Sequence, residues 1–260
     1  MELRGRVVVV TGAARGIGRA LALRFAAEGC SAVVVADLDD EGARSVAQEI
    51  EGTAIRCDVS NEADVERLIE QVESEQGRLD IFCSNAGIAV AGGPESANAD
   101  WQQIWEVNVM AHVYVARHAL PRMLARGEGY ILGTVSAAGL LNHVFAAPYG
   151  VTKAAALSFF EWLSIAHGDE GIRVSCLCPQ GVKTGMLAAE REQLGTNFLT
   201  EGALEPEVVA GAVVKGIADE RFLILPHPEV AEYFRRKADD YDRWIRGMRR
   251  LRGNLLSTTR

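Results

Sequence analysis

The chain has 260 residues, of which 48% are hydrophobic and 24% are charged. This composition is typical of a folded globular protein and excludes a disordered or fibrous one, while the length permits one large domain or two small ones. The formal net charge of −8 disfavours nucleic acid as a partner.

The cysteines and the apolar runs restrict the class of protein further. Five cysteines are spread along the chain without a CxxC spacing, which favours reduced thiols over disulfides or a metal site. No apolar run approaches the ~20 residues that a membrane span needs, and the run in MELRGRVVVVTG is too short for a signal peptide. We therefore expect a cytoplasmic protein with no membrane span and no metal.

Short β-branched runs alternate with amphipathic helical patterns along the chain. The predicted strands are, in order, RVVVV, SAVVVAD, TAIRCD, LDIFCSN, YILGTVS, IRVSCLCP and RFLILP, and the clearest helical patterns cover residues 17–28, 62–76, 101–123 and 149–167. Strict alternation implies right-handed crossovers and a parallel sheet. With no linker or repeat, the sequence predicts α/β architecture: a single-domain Rossmann-like, doubly wound parallel sheet of about seven strands with helices on both faces, over residues 1–260.

Two segments depart from this alternation. Residues 185–204 form a long insertion after the sixth strand, and we interpret it as a substrate lid. From residue 228 to 260 a basic amphipathic helix is predicted, and residues 235–260 carry a local net charge of +6. Such a helix could contact a membrane surface or an acidic partner, but we favour packing of its apolar side on the protein or on a sister subunit.

A glycine-rich loop, TGAARGIG at residues 11–18, lies between the first strand and the next helix. Glycines let backbone N–H groups and the positive helix end approach a pyrophosphate. A glycine pattern alone is a weak signal, but the strand before it, the helix after it and an acid at the end of the second strand strengthen it. The loop residues expected to bind a dinucleotide are Gly12, Arg15, Gly16, Ile17 and Gly18.

The acid is Asp37, at the end of the second strand. A carboxylate here accepts hydrogen bonds from an adenine ribose diol and repels a 2′-phosphate, which favours NAD over NADP. Arg15 is an argument for the phosphate, but the repulsion by Asp37 acts at shorter range. The alternative interpretation of Asp37 is a solvated acid beside Asp39 and Asp40 at the start of the next helix.

Further motifs occur in order along the chain. Tyr149 and Lys153 are four residues apart, so on a helix they would be about 6 Å apart along one face. The motifs are the TGxxxGxG loop, Asp58-Val59, Ser84-Asn85-Ala86-Gly87, Asn108, Ser136, the YxxxK pair Tyr149 and Lys153, and the segment from Pro179 to Thr184. Taken together, they resemble the motifs of the short-chain dehydrogenases/reductases. Two positions differ from the family pattern: Ser84 replaces an asparagine, and Gln180 replaces a glycine near the expected nicotinamide site.

The resemblance implies a cofactor site and a catalytic set. It implies that Asp58 and Val59 bracket the adenine, that Asn85 and Gly87 line the ribose, and that Val182 and Thr184 hold the carboxamide. Lys153 is implied to bind the nicotinamide ribose beside Tyr149. The implied catalytic residues are Asn108, Ser136, Tyr149 and Lys153.

The reaction that this set suits is hydride transfer between NAD and an alcohol carbon. The hydroxyl proton must leave as the hydride does, so a base must lie at that oxygen. A free phenol has a pKa of ~10, and a nearby ammonium such as that of Lys153 stabilises its phenolate. Ser136 would stabilise charge on the substrate oxygen, and Asn108 would hold a water that links Lys153 to solvent.

The substrate is expected to be a moderately hydrophobic secondary alcohol or ketone, with cyclic, aromatic and steroid-like skeletons among the candidates. The expected pocket residues are His143, Phe145, Met186 and Phe198. Alternatives are an NADP-dependent ketone reductase, an inactive NAD(P)-binding sensor or scaffold, and an epimerase or dehydratase on the same fold. The resemblance also implies a homotetramer or homodimer, packed through helices at residues 101–123 and 149–167.

Overall fold

The computed structural model describes residues 1–194 and 199–258. Its seven strands form one parallel sheet in the order β3-β2-β1-β4-β5-β6-β7. The strands are β1 (Val7–Thr11), β2 (Ala32–Asp37), β3 (Thr53–Arg56), β4 (Ile81–Ser84), β5 (Gly129–Thr134), β6 (Ile172–Leu177) and β7 (Leu223–Ile224). The predicted doubly wound α/β sheet is thereby confirmed.

Helices cover both faces of this sheet. They are α1 (Gly16–Ala27), α2 (Asp40–Glu49), α3 (Glu62–Gln76), α4 (Asn98–Trp105), α5 (Ala111–Arg126), α6 (Ala137–Leu141), α7 (Ala147–His167), α8 (Gly185–Leu194), α9 (Pro206–Ala218), α10 (Glu229–Asp239) and α11 (Tyr241–Thr258). Buried residues of α1, α2 and α9 pack on one face, and those of α3, α5 and α7 pack on the other.

The two hydrophobic layers follow from the alternation of side chains along each strand. In β1, Val7 and Val9 face the layer of α3, α5 and α7, while Val8 and Val10 face the layer of α1, α2 and α9. A strand buried on both faces must be apolar at every position, which explains the uninterrupted valine run.

The strand order reverses between β1 and β4, which are neighbours in the sheet although two strands separate them in sequence. In such sheets a crevice opens at the carboxyl ends of the strands on either side of the reversal. Thr11, Ser84 and Thr134 are the last residues of β1, β4 and β5. The fold therefore brings the segments after these three residues to one edge of the sheet.

The structure differs from the predicted helices in two places. The pattern at residues 101–123 predicts one helix, whereas the chain forms α4, a π-helical turn at Glu106–Met110 and then α5. The C-terminal pattern predicts one helix, whereas α10 and α11 are separated at Asp240, whose backbone is extended. Trp244 of α11 packs against the hydrophobic core, in agreement with the packing interpretation.

The fit between β5 and α7 depends on Gly133. A Cβ at this position would lie 2.0 Å from Cε2 of Phe160, whose ring is fully buried on α7. The substitution Gly133→Ala is therefore expected to lower the free energy of unfolding by about 1–3 kcal/mol through overpacking, as measured by urea denaturation.

The matched control for this prediction is Gly168→Ala. Gly168 has helical backbone angles, and nothing lies within 4 Å of its Cβ position. Its substitution should change the stability by less than about 0.5 kcal/mol. Equal stabilities of the Gly133→Ala variant and the wild type would show that α7 can shift away from the sheet without loss.

Candidate functional site

The glycine loop is shaped by close backbone contacts. Gly12 has a φ of +64°, and a Cβ there would lie 2.8 Å from Cα of Ala86. A Cβ at Gly18 would lie 2.1 Å from the carbonyl oxygen of Gly12, so no side chain fits at either position. The first turn of α1, which is described throughout, contains no acidic residue. The positive end of α1, with Gly16 and Ile17 in its first turn and Arg15 exposed before it, is thus suited to an anion.

Asp37, the last residue of β2, also forms a hydrogen bond with the glycine loop. Its Oδ2 accepts a hydrogen bond of 2.9 Å from the N–H of Ala14, and its Oδ1 accepts one of 3.0 Å from the N–H of Asp39. An ionised carboxylate has about four acceptor sites, so acceptor capacity remains for a ribose diol. The bond to Ala14 is a role that the sequence analysis did not identify.

Asn85 joins three strand ends. Its side-chain Nδ2 donates to the carbonyl of Thr11 at 2.9 Å, and its Oδ1 accepts from Oγ1 of Thr134 at 3.0 Å. Thr11 Oγ1 in turn accepts the backbone N–H of Asn85 at 3.0 Å. The segment after β4 is therefore fixed against β1 and β5.

Lys153 lies at this edge, with its side chain only 3% exposed. Its Nζ donates to the carbonyl of Thr134 at 3.0 Å and lies 5.7 Å from the centroid of the Tyr149 ring. A Cβ at Gly87 would lie 3.2 Å from this Nζ and 3.3 Å from Oδ1 of Asn108, so these three residues meet. Burial lowers the pKa of Lys153 from 10.5 to about 8.

Asn108 is in the π-helical turn and is fully buried. Its Oδ1 accepts from the N–H of Ile88 at 2.9 Å, and its Nδ2 donates to the carbonyl of Ile88 at 2.9 Å and to Oγ1 of Thr152 at 3.3 Å. Helices with such a bulge are often found at functional sites. The Asn108 side chain therefore holds the segment after Gly87 in place.

Ser136 and Tyr149 enclose α6 and the loop that follows it. Ser136 is the N-cap of α6, and its Oγ accepts from the N–H of Ala138 at 3.0 Å. Tyr149 is in the first turn of α7, which places Lys153 one turn further along. The ring of His143 lies edge-on to the Tyr149 ring, with centroids 6.2 Å apart. The segment from Ser136 to Tyr149 therefore forms one wall of the site.

The other residues of the implied cofactor site lie at neighbouring strand ends. Asp58 follows β3, and its Oδ1 accepts from Oγ of Ser60 at 2.6 Å, while Val59 is buried. After β6, Val182 is buried and its carbonyl accepts from Oγ1 of Thr184 at 3.2 Å. A cavity of about 530 Å³ opens beside Gly16 and Thr184.

The four expected substrate residues lie in different parts of the chain. His143 and Phe145 are half-buried in the loop before α7, and Nδ1 of His143 accepts from the N–H of Phe145 at 3.2 Å. Met186 is 40% exposed near the start of α8. Phe198 lies outside the described residues. The loop before α7 thus has a defined connection to the Tyr149 ring, through His143.

The two residues that differ from the family pattern, Ser84 and Gln180, each contact a buried histidine. Oγ of Ser84 lies 2.7 Å from Nδ1 of His112, and burial together with the charge of Lys153 lowers the pKa of His112 to about 3. The N–H of Gln180 donates to Nδ1 of His227 at 3.1 Å. Sequence analysis missed both histidines, because each contact joins residues that are far apart in the chain.

The described part of the chain has neither a cluster of His, Cys, Asp or Glu residues suited to a metal nor a helix with the length and apolarity of a membrane span. All five cysteines are free thiols.

The site fits a dinucleotide. The glycine loop and the start of α1, which has no acidic residue in its first turn, match the pyrophosphate, and the carboxylate of Asp37 matches the ribose diol.

Because the charge of Lys153 is buried, replacing this residue with an uncharged one is expected to raise the free energy of unfolding of the protein. Between pH 8 and pH 10.5 the unfolded chain keeps the Lys153 proton that the folded chain has lost, so the folded state gains stability as the pH rises. At pH 7 the variant Lys153→Met should therefore be more stable than the wild type by about 2 kcal/mol, and the difference should shrink above pH 8.

Urea denaturation of the cofactor-free protein at pH 7, 9 and 10 measures this difference. Lys215→Met is the control, because Lys215 is an exposed lysine that pairs with Asp219 on the surface. A Lys153→Met variant that is less stable than the wild type at pH 7, with no trend in pH, would contradict the prediction.

The chain was compared with known proteins. The model of the short chain dehydrogenase family matches residues 6–195. Meso-2,3-butanediol dehydrogenase of Serratia marcescens is 34% identical over 86% of this chain and 92% of its own. Borneol dehydrogenase, mitochondrial, of Lavandula x intermedia is 33% identical over 87% of this chain and 88% of its own.

A solved structure gives the same result. A short chain dehydrogenase/reductase from Burkholderia phymatum, crystallised in complex with NAD, superimposes with a TM-score of 0.85 at 31% identity, covering 93% of this chain and 96% of its own. The family model, the relatives and the fold agree with the motifs quoted above. The chain belongs to the short-chain dehydrogenase/reductase family.

Proposed function

We propose that the protein is an NAD-dependent dehydrogenase that transfers a hydride between NAD(H) and a moderately hydrophobic secondary alcohol or ketone, with Tyr149 as the general acid and base. The observation that carries this proposal is the buried ammonium of Lys153, 5.7 Å from the Tyr149 ring and beside Gly87 and Asn108. A buried charge is costly and is most often kept where it has a chemical role.

The nicotinamide ring of the bound cofactor would supply or accept the hydride. Tyr149 would take the hydroxyl proton during oxidation and return it during reduction, and the positive charge of Lys153 favours the phenolate that this exchange produces. Ser136 would hydrogen-bond the substrate oxygen. Asn108 holds the segment after Gly87 beside Lys153. We propose that a water bound at this turn transfers the proton from Lys153 towards solvent.

Two relatives support the choice of substrate. Their names specify butanediol and borneol, and both compounds are secondary alcohols without phosphate groups. The half-buried His143, beside Tyr149, and Phe145, in the same loop, offer one polar and one apolar side chain, which suits such a substrate. We propose that the segment at residues 185–204, of which 195–198 lie outside the described residues, is a substrate lid; its described part contains α8, on which Met186 is exposed.

The cofactor is proposed to be NAD on the evidence of Asp37 and of the relative crystallised with NAD. NADP is the second candidate, because the exposed Arg15 is in the same loop as Ala14, which binds Asp37. The inactive sensor or scaffold is disfavoured by the presence of Ser136, Tyr149 and Lys153 at one edge of the sheet. Measurement of NADH distinguishes the proposed dehydrogenase from an epimerase or dehydratase, since only a dehydrogenase releases NADH stoichiometrically.

A homotetramer or homodimer is also proposed. Trp162 and Ile165 on α7 are 57% and 84% exposed, and Val151 on the same helix is 47% exposed. Large apolar side chains on one helix are typical of a subunit interface. A single species of 28.1 kDa in sedimentation at micromolar concentration would contradict this assembly.

The role of Tyr149 is tested with Tyr149→Phe. Removal of the hydroxyl should lower kcat by about 10²–10⁴-fold, because the proton then has no acceptor, while NADH binding remains. The measurement is NADH formation from a panel of secondary alcohols. Tyr114→Phe is the control, since the Tyr114 hydroxyl contacts Glu106 on the helix surface. A Tyr149→Phe variant with wild-type turnover would refute the assignment.

The cofactor choice is tested with Asp37→Ala. Loss of the carboxylate removes both the diol acceptor and the bond to Ala14, so NADH affinity should fall about tenfold or more, while the ratio of NADPH to NADH affinity rises. Titration calorimetry with both nucleotides measures the ratio. Asp40→Ala removes an equal charge from the start of α2 and should leave the ratio unchanged. Tighter binding of NADPH by the wild type would reverse the choice of cofactor.

A further inference from the structure

The wall segment between Ser136 and Tyr149 is held from outside by the two C-terminal helices. Nζ of Lys237, on α10, donates to the carbonyl of Leu140 at 2.6 Å. Nε of Arg252, on α11, donates to the carbonyl of Val144 at 3.2 Å, and its guanidinium lies 5.7 Å from the ring centroid of Phe145. Two cations from the end of the chain therefore bind two carbonyls of this segment.

The contacts continue inward from Arg252 to Tyr149. Phe145, under the guanidinium, donates its N–H to Nδ1 of His143 at 3.2 Å. The His143 ring then packs edge-on against the Tyr149 ring. On its other side, the carbonyl of Phe145 accepts from the N–H of Gly92 at 2.8 Å. Arg252 is thus connected to the Tyr149 ring through one short loop.

The two bonds act at the end of α6 and in the loop that follows it. Lys237 binds the carbonyl of Leu140 in the last turn of α6, where carbonyls lack intrahelical partners and a cation is favourable. After α6, Asn142 has a φ of +70°, a conformation that is uncommon for residues other than glycine. The loop at residues 142–146 therefore depends on outside contacts for its shape.

We propose that Lys237 and Arg252 form a latch that fixes the loop at residues 142–146, and that Arg252 is a positioning residue for substrate binding. The second part rests on the proposed function, which places the substrate against this loop. The bonds of Ser136 to Ala138 and of Lys153 to Thr134 do not involve the loop. Loss of the latch should therefore raise KM more than it lowers kcat.

The test compares Arg252→Met with Arg249→Met. Both arginines are exposed on α11, but within the described part of the chain the side chain of Arg249 has no hydrogen bond or ion pair. Hydrogen exchange of the free protein, followed in peptides that cover residues 140–146, reports on the latch without any substrate. Steady-state kinetics with NAD and a secondary alcohol that the wild type oxidises report on positioning.

In Arg252→Met we expect faster exchange at residues 140–146, a KM for the alcohol raised about three- to tenfold, and kcat within about twofold of the wild type, since surface contacts of this kind are modest. NADH affinity should not change. Arg249→Met should match the wild type. Arg252→Lys should be intermediate, because it keeps the charge but lacks the planar guanidinium.

Unchanged exchange in Arg252→Met would overturn the latch. Faster exchange with an unchanged KM would overturn the positioning role, and an equal effect of Arg249→Met would assign the change to the charge of α11. If the wild type bound NADH but oxidised no alcohol, the proposed function and the positioning role would fall together, while the exchange result would still decide the latch.

Discussion

Lys153 is buried, and a buried ammonium needs hydrogen-bond acceptors within the protein. The carbonyl of Thr134 at the end of β5 supplies one at 3.0 Å. Because Lys153 and Tyr149 are one turn apart on α7, this contact also places the phenol at the same edge of the sheet. The position of α7 against β5 therefore determines where the Tyr149 phenol and the Lys153 ammonium lie.

The rest of that edge is connected to the same residue. Thr134 donates through its hydroxyl to Asn85, and Asn85 donates to the carbonyl of Thr11 at the start of the glycine loop. Asp37 binds the loop from the other side, through Ala14. Hydrogen bonds thus link Lys153, through Thr134 and Asn85, to the start of the glycine loop at the switch point of the sheet.

The outer wall of the site is built differently. The end of α6 and the loop after it are bound by cations from α10 and α11, and the loop is also bound by the N–H of Gly92. The bond of Arg252 is exposed and that of Lys237 is part-buried, whereas the bond of Lys153 to Thr134 is buried. A fold that serves many substrates gains from this separation, since loops change specificity while strands and helices keep the chemistry in place.

Local patterns in the sequence were sufficient for the fold class, because alternation of apolar strands and amphipathic helices depends on neighbouring residues alone. The same holds for the glycine loop and for the spacing of Tyr149 and Lys153. The π-helical turn at Asn108 and the break at Asp240 were not predicted, since the apolar pattern runs through both.

The sequence by itself determined the layers of the fold and the residue types available for chemistry. Only the tertiary structure decided that Ser84 meets His112, that Gln180 meets His227, and that Arg252 covers the loop before Tyr149. The physical reason is that these contacts join residues 28, 47 and 108 positions apart. No local propensity encodes such distances, and they become fixed only when the sheet and its helices have packed.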